Sequence, residues 1–99
     1  MKKNVLDIEK LEMGASMLRG MAHPMRIAII ELLIETDRLS VTEIYEKLDI
    51  EQASASHHLN ILKNKGILES KREGKKIFYS LKHGRLTVVI NSLDHCLGL

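Results

Sequence analysis

The sequence has few aromatic residues and one cysteine, and each shortage narrows the class of protein. Phe, Trp and Tyr make up 3% of the 99 residues, with no Trp, so the core has to be built from Leu, Ile, Val and Met. Such a core in so short a chain is marginal when alone, and dimerisation is a common remedy. The single cysteine, Cys96, excludes an intrachain disulfide and fits a reducing compartment.

Long hydrophobic runs are also missing. The longest apolar stretch, residues 27–34, is far shorter than the roughly 20 residues that a transmembrane helix needs. Residues 1–7 become acidic before any apolar segment develops, so they do not resemble a signal peptide. We therefore expect a cytoplasmic protein without a membrane partner, formed by a single domain over residues 1–99.

Charge is abundant and unevenly distributed. Residues 1–51 hold seven Lys and Arg against ten Asp and Glu, a balance of −3. Residues 52–99 hold eight Lys and Arg against three Asp and Glu, a balance of +5. This asymmetry is expected when one half is structural and the basic half faces a polyanion, although an unevenly charged solvated surface gives the same counts.

The first half of the chain predicts two apolar helices. The first helix spans about residues 5–19 and carries an apolar stripe at helical spacing, formed by Ile8, Leu11, Ala15 and Leu18. Pro24 suits the first turn of a second helix, which spans about residues 25–34 and is apolar nearly all round. Such a helix is expected in the middle of the core.

Two shorter helices follow. Ser40 and Glu43 form a capping box that begins the third helix, which ends at Asp49. The fourth helix spans about residues 52–65, and Gly66 is a natural left-handed cap at its end. These helices are separated by a tight connection, as in a helix-turn-helix.

The periodicity then changes to that of strands. Residues 67–72 and 76–81 flank the glycine-containing turn 73–75, which predicts a β-hairpin. Residues 84–97 return to a helical pattern. The predicted order is ααααββα, an α+β fold dominated by helices and arranged as a winged helix-turn-helix.

The fourth helix and the hairpin hold the candidate DNA contacts. A recognition helix needs compact polar side chains that approach base edges, and residues 52–65 contain no acidic residue. The predicted contacts from this helix are Gln52, Ser54, Ser56, His57, Asn60 and Lys63. The predicted contacts from the hairpin, to phosphates or the minor groove, are Lys71, Arg72, Lys75, Lys76 and Tyr79.

Three segments resemble the ArsR-type (ArsR/SmtB) repressors. Residues 23–33, HPMRIAIIELL, are similar to the family's "HPxRxxILxLL" segment, residues 52–62, QASASHHLNIL, to its recognition helix, and residues 72–81, REGKKIFYSL, to its wing. The resemblance implies a homodimeric repressor, joined through the first and last helices, that binds an inverted repeat in double-stranded DNA. The predicted dimer contacts are Leu11, Leu18, Leu86, Ile90, Leu93 and Leu97.

The resemblance also implies an inducer, commonly a metal ion or an oxidant. The arsenic-type Cys-x-Cys pair is absent from residues 31–37, and Arg85 and Leu99 occupy two zinc-type positions at which neither can bind a metal. The weak metal candidates that remain, beside Asp94, are His83, His95 and Cys96. These three are more simply interpreted as ordinary polar residues around a helix end, so we expect no cofactor. A small-molecule or metal inducer is left open. A redox role would need an intersubunit disulfide through Cys96, which a reducing cytosol disfavours.

Other functions fit the sequence less well. A protein-binding winged helix would expose Leu, Phe or Met on its fourth helix, where this chain has residues such as Asn60 and Asn64. An enzyme is not expected, because the sequence has no Gly-rich phosphate loop, nucleophile motif or convergent carboxylate pair. His23 and His58 are predicted to be structural, whereas His57 faces outward.

Overall fold

The computed structural model describes residues 8–82, which form four helices and a three-stranded sheet. The helices are α1 (Ile8–Met21), α2 (Pro24–Thr36), α3 (Val41–Leu48) and α4 (Gln52–Asn64), and the strands are β1 (Arg38–Ser40), β2 (Leu68–Glu73) and β3 (Lys76–Leu81). None of the helices within residues 8–82 is both long and apolar enough to cross a membrane. The predicted last helix lies outside the described residues, together with Leu86, Ile90, Leu93, Leu97, His83, His95 and Cys96.

Local sequence signals set the ends of the helices as predicted. The Oγ of Ser40 accepts a hydrogen bond from the N–H of Glu43 at 3.1 Å, and the Glu43 carboxylate accepts one from the N–H of Ser40 at 2.9 Å, which completes the capping box of α3. Pro24 is the first residue of α2. Gly66 follows α4 with a φ of 78°, in the left-handed region that favours glycine.

The core lies between α2, α4 and the inner face of the sheet. The buried residues from these elements include Ile29, Ile30, Leu33, Leu39, Leu59, Leu62, Tyr79 and Leu81. The prediction that α2 lies in the middle of the core is wrong in part, because Ile27 and Ile34 are exposed. The helix has one buried face, and its exposed side carries Ile27 and Ile34 together with Glu31 and Glu35.

The sheet contains one strand that the sequence analysis missed. β1 is three residues long and pairs antiparallel with β3, with Leu39 opposite Tyr79. The strand order is β1-β3-β2, so β3 is central and the hairpin partner β2 lies at the other edge. The predicted order ααααββα is therefore wrong at residues 38–40, since three residues are too few for an alternating pattern to show. The α+β class is confirmed.

The helix α1 contacts the core through one side only. Met17 and Gly20 are buried, and a Cβ at Gly20 would lie 2.7 Å from the Cγ of Lys65, so this close approach to the end of α4 favours glycine. The Nζ of Lys65 donates a hydrogen bond to the Oγ of Ser16 at 3.1 Å. The predicted stripe of α1 remains exposed within residues 8–82, with Leu11 at 57% and Leu18 at 39% exposure.

Candidate nucleic-acid interface

The helices α3 and α4 form a helix-turn-helix unit. Asp49 ends α3 in the left-handed conformation, with a φ of 54°, and the N–H of Ile50 donates to the carbonyl of Tyr45 at 3.1 Å. Residues 49–51 form the short turn, and α4 begins at Gln52. Ile44 of α3 and Leu59 of α4 are fully buried in the same core, which holds the two helices at a defined angle.

The helix α4 divides into a buried and a polar face. Its buried residues are Ala55, His58, Leu59 and Leu62. The predicted DNA contacts that are exposed are Gln52, Ser54, His57, Asn60 and Lys63, and Ser56 is half-buried. The first turn of α4 contains no acidic residue, so this face presents hydrogen-bonding groups without a carboxylate that would repel phosphate.

A cleft joins the start of α4 to the tip of the hairpin. It has a volume of about 240 Å³ and is lined by Ser40, Val41, Thr42, Gln52, Ser56, Lys75, Lys76 and Ile77. Gly74 begins the two-residue loop at the tip with a φ of 65°, a conformation that such loops require at this position. The turn thus brings two lysines of the hairpin to two polar side chains of α4 that are distant in sequence.

The cations of the hairpin do not all share this cleft. Lys71 lies opposite Phe78 in the sheet and lines a separate groove of about 350 Å³ with Arg38 and Glu69. The Nζ of Lys71 is 4.0 Å from a carboxylate oxygen of Glu73. Arg72 is exposed and pairs in register with Ile77. Lys75 and Lys76 therefore line the cleft with α4, and Arg72 lies on the same face of the hairpin as Ile77, which also lines it.

Arg38 stabilises the outer face of the sheet. Its guanidinium donates two hydrogen bonds to the Glu73 carboxylate, at 2.7 and 2.9 Å, and its Cζ lies 3.9 Å from the centre of the Phe78 ring. The hydrogen bond from Arg38 lowers the pKa of the Glu73 carboxyl, and the same bond raises the pKa of Arg38. Because Glu73 ends β2 beside the tip, this pair connects β1 to the hairpin.

Tyr79 does not belong to the DNA-facing surface. Its side chain is 7% exposed and lies in the core, and burial raises the pKa of its hydroxyl. Side chains alternate along a strand, so Tyr79 and Leu81 face the core while Phe78 and Ser80 face outward. The predicted DNA contact from Tyr79 is therefore wrong, and the residue supports the hairpin from within.

The three histidines near α4 have different surroundings. His23 caps α2, since its Nδ1 accepts a hydrogen bond from the N–H of Met25 at 3.1 Å. His58 is buried and accepts a hydrogen bond from Arg26, whereas His57 is exposed. These positions confirm the expectations for the three side chains. Arg26 was not among the residues predicted from the sequence, although an arginine within an apolar helix indicates a side chain that needs a buried or half-buried acceptor.

Residues 8–82 contain no group of three or more His, Cys, Asp and Glu side chains arranged to hold a metal ion.

Comparison with known proteins agrees with this geometry. A family model described as a helix-turn-helix domain matches residues 21–71. An HTH-type transcriptional regulator of Methanocaldococcus jannaschii is 36% identical over 88% of this chain and 98% of its own. The HTH-type transcriptional repressor SmtB of Mycobacterium tuberculosis is 35% identical over 88% of this chain and 64% of its own.

A solved structure extends the agreement to the fold. The transcriptional repressor PagR of Bacillus anthracis is 34% identical over 90% of this chain and 89% of its own. Its crystal structure matches with a TM-score of 0.77, over 88% of this chain and 99% of the repressor. The segments that resemble ArsR-type repressors form most of α2, most of α4 and the hairpin that lies beside α4. The helix-turn-helix, the wing and these relatives together place the chain in the ArsR/SmtB family of winged helix-turn-helix transcriptional repressors.

Proposed function

We propose that the protein is a homodimeric repressor that binds an inverted repeat in double-stranded DNA in the cytoplasm. The observation that carries the proposal is the cleft between α4 and the hairpin tip, where Gln52 and Ser56 share one surface with Lys75 and Lys76. Amide and hydroxyl groups suit base edges, and lysines suit phosphates. One surface therefore combines the two kinds of contact that specific DNA binding needs.

The proposed roles follow from exposure. His57 and Asn60 lie opposite the buried face of α4, and Gln52 and half-buried Ser56 lie beside that face along the cleft, so these four side chains approach base edges in the major groove. Lys75 and Lys76 bind the phosphates that flank the groove. The contacts come from side chains of the protein alone, so the proposal includes no cofactor.

The dimer in this proposal is supported by the uncovered stripe of α1. Leu11 and Leu18 are large apolar side chains exposed on one side of the helix, and a two-fold axis would bury the same side chains from both subunits. Two copies of α4 would then reach successive major grooves, with half-site centres roughly 34–36 Å apart.

Selection of random duplex DNA on the purified protein tests the proposal. At about 0.15 M salt, where screening is physiological, we expect an inverted repeat with half-sites one helical turn apart. Folding is checked in parallel by circular dichroism. A folded protein that enriches no sequence would overturn the proposal and favour a winged helix that docks on another protein.

Lys75→Ala is expected to weaken binding to the selected duplex and to random duplex DNA by similar factors. The dimer loses two phosphate contacts, one from each subunit, so the magnitude of the slope of log K against log salt should fall by about two. Fluorescence anisotropy at several salt concentrations measures both effects.

Two variants serve as comparisons in the same assay. Lys71→Ala removes the same charge from the side of the hairpin that lies away from α4, so its effect on the slope should be smaller. Ser56→Ala should weaken binding to the selected duplex more than to random DNA, because Ser56 lies on the base-facing side of the cleft. An equal reduction of the salt slope by Lys75→Ala and by Lys71→Ala would contradict the proposed role of the cleft.

A further inference from the structure

The half-buried side chain of Arg26 joins three helices. Its Nη1 donates a hydrogen bond to the carbonyl of Gly20, near the end of α1, at 2.9 Å. Its Nε donates a hydrogen bond to the Nδ1 of His58, on α4, at 3.2 Å. Because Arg26 lies in the first turn of α2, one guanidinium ties the end of α1 and the DNA-facing helix to the start of α2.

The bond to α4 requires a neutral histidine. A guanidinium only donates hydrogen bonds and keeps its charge at every physiological pH, so the Nδ1 of His58 has to be unprotonated to accept from it. An imidazolium has N–H groups at both ring nitrogens and no acceptor. Protonation of His58 would therefore break the bond and place two cations against each other at a site where His58 is 8% exposed.

The surroundings of His58 disfavour its charged form. Its ring centre lies 4.5 Å from that of His23, which precedes α2, and 5.5 Å from that of His57, its neighbour on α4. Burial lowers the pKa of His58 below the ordinary value of 6.5, and His23, Arg26 and His57 lower it further. None of these neighbours is a carboxylate that would stabilise an imidazolium.

We propose that Arg26 and neutral His58 are a positioning pair that holds α4 in its DNA-binding orientation, and that protonation of His58 releases α4 and weakens binding to the operator. Neither side chain lines the cleft, so the pair acts through the placement of α4 rather than by contact with DNA. A binding surface has to be held within about 0.5 Å of its productive geometry to function. The inference rests on the proposed function, because it assumes that α4 contacts DNA.

The pair is tested first without DNA. Titration of the histidine rings by NMR should give His58 a pKa below 6.5, and Arg26→Met should raise that pKa because it removes the neighbouring cation and keeps most of the side-chain volume. Since the folded state disfavours protonated His58, the free energy of unfolding in urea should fall as the pH drops below 6.5. His58→Asn should show a smaller fall, because its amide oxygen can accept near the position of Nδ1 and does not titrate.

A His58 pKa at or above 6.5 in the wild-type protein would overturn the inference. This measurement uses the wild-type protein alone, so it does not depend on whether any variant folds.

The second test uses the duplex selected above, at constant ionic strength between pH 7.5 and 5.5. Two proteins are compared, His57→Gln and His57→Gln/His58→Asn, so that His57, which α4 exposes on the proposed DNA-binding face, is absent from both and they differ only at His58. Below the pKa of His58, the Kd of the His57→Gln dimer should rise by up to about tenfold per pH unit for each subunit, and so by up to about a hundredfold for the two subunits together. The Kd of His57→Gln/His58→Asn, relative to its own value at pH 7.5, should change less.

The outcomes separate the two proposals. If the Kd of His57→Gln and the Kd of His57→Gln/His58→Asn change in parallel with pH, the positioning pair is overturned and the DNA-binding function is left intact. Failure of the wild-type protein to prefer the selected duplex at pH 7.5 would instead overturn the proposed function. If His58→Asn does not fold, Arg26→Lys replaces it in the His57→Gln background. Lysine keeps the charge but cannot donate to both acceptors as the guanidinium does, so the pH dependence should again be reduced.

Discussion

Replacement of Leu11 or Leu18 with glutamate is expected to convert the protein to monomers and to abolish tight binding to the inverted repeat. Both side chains lie on one side of α1 and are 57% and 39% exposed within the described part of the chain. In the proposed dimer each substitution would bury two unpaired carboxylates, one from each subunit, which is strongly unfavourable. A monomer also loses the advantage of two linked half-sites, worth about 10²–10⁴ in affinity.

Sedimentation velocity measures the first effect, and fluorescence anisotropy with the selected duplex measures the second. Met13→Glu is the matched control, because Met13 is also an exposed apolar residue of α1 but lies on the opposite side of the helix from Leu11 and Leu18. It should leave the dimer intact. Dimers that survive both Leu11→Glu and Leu18→Glu would show that the interface lies elsewhere.

Leu59→Ala is expected to lower the free energy of unfolding by about 2–5 kcal/mol. The side chain is 0% exposed and lies on the buried face of α4, within the core that also includes residues of α2 and the sheet. Truncation removes apolar burial and leaves a cavity, because the surrounding core relaxes only in part. Since Leu59 follows His58 directly, the cavity would also loosen the packing of α4 against the core.

Urea unfolding at a fixed protein concentration measures the change, since the stability of a dimer depends on concentration. Lys63→Ala on the same helix is the control, because an exposed side chain should change the free energy of unfolding by no more than about 0.5 kcal/mol. A loss of less than about 1 kcal/mol for Leu59→Ala would contradict the position assigned to Leu59.

Features that depend on neighbouring residues could be predicted from the sequence. The capping box of Ser40 and Glu43 joins groups three residues apart, and Pro24 and Gly66 act on their own backbone angles. The polar face of α4 follows from helical periodicity, so the exposure of His57 and the burial of His58 were both predictable. The three segments that resemble ArsR-type repressors lie within these same elements.

Features that depend on distant residues could not be predicted. The strand β1 exists because residues 38–40 pair with β3 about forty positions later, and three residues carry no period of their own. The wing was predicted to contact DNA through four cations around its tip and through Tyr79. In the structure Tyr79 faces the core, because side chains alternate along the strand. Lys71 lies beside Arg38 rather than beside α4.

The sequence by itself determined the helices α1 to α4, the helix-turn-helix, the basic hairpin and the resemblance to the family, because these rest on periodicity, caps and motifs within short segments. Only the tertiary structure decided which side chains meet. It brought Lys75 to Ser56 across the cleft and Arg26 to His58 between α2 and α4. The physical reason is that such contacts depend on how the elements fit together in one core, and no local pattern in the chain encodes the distance between two side chains that lie far apart along it.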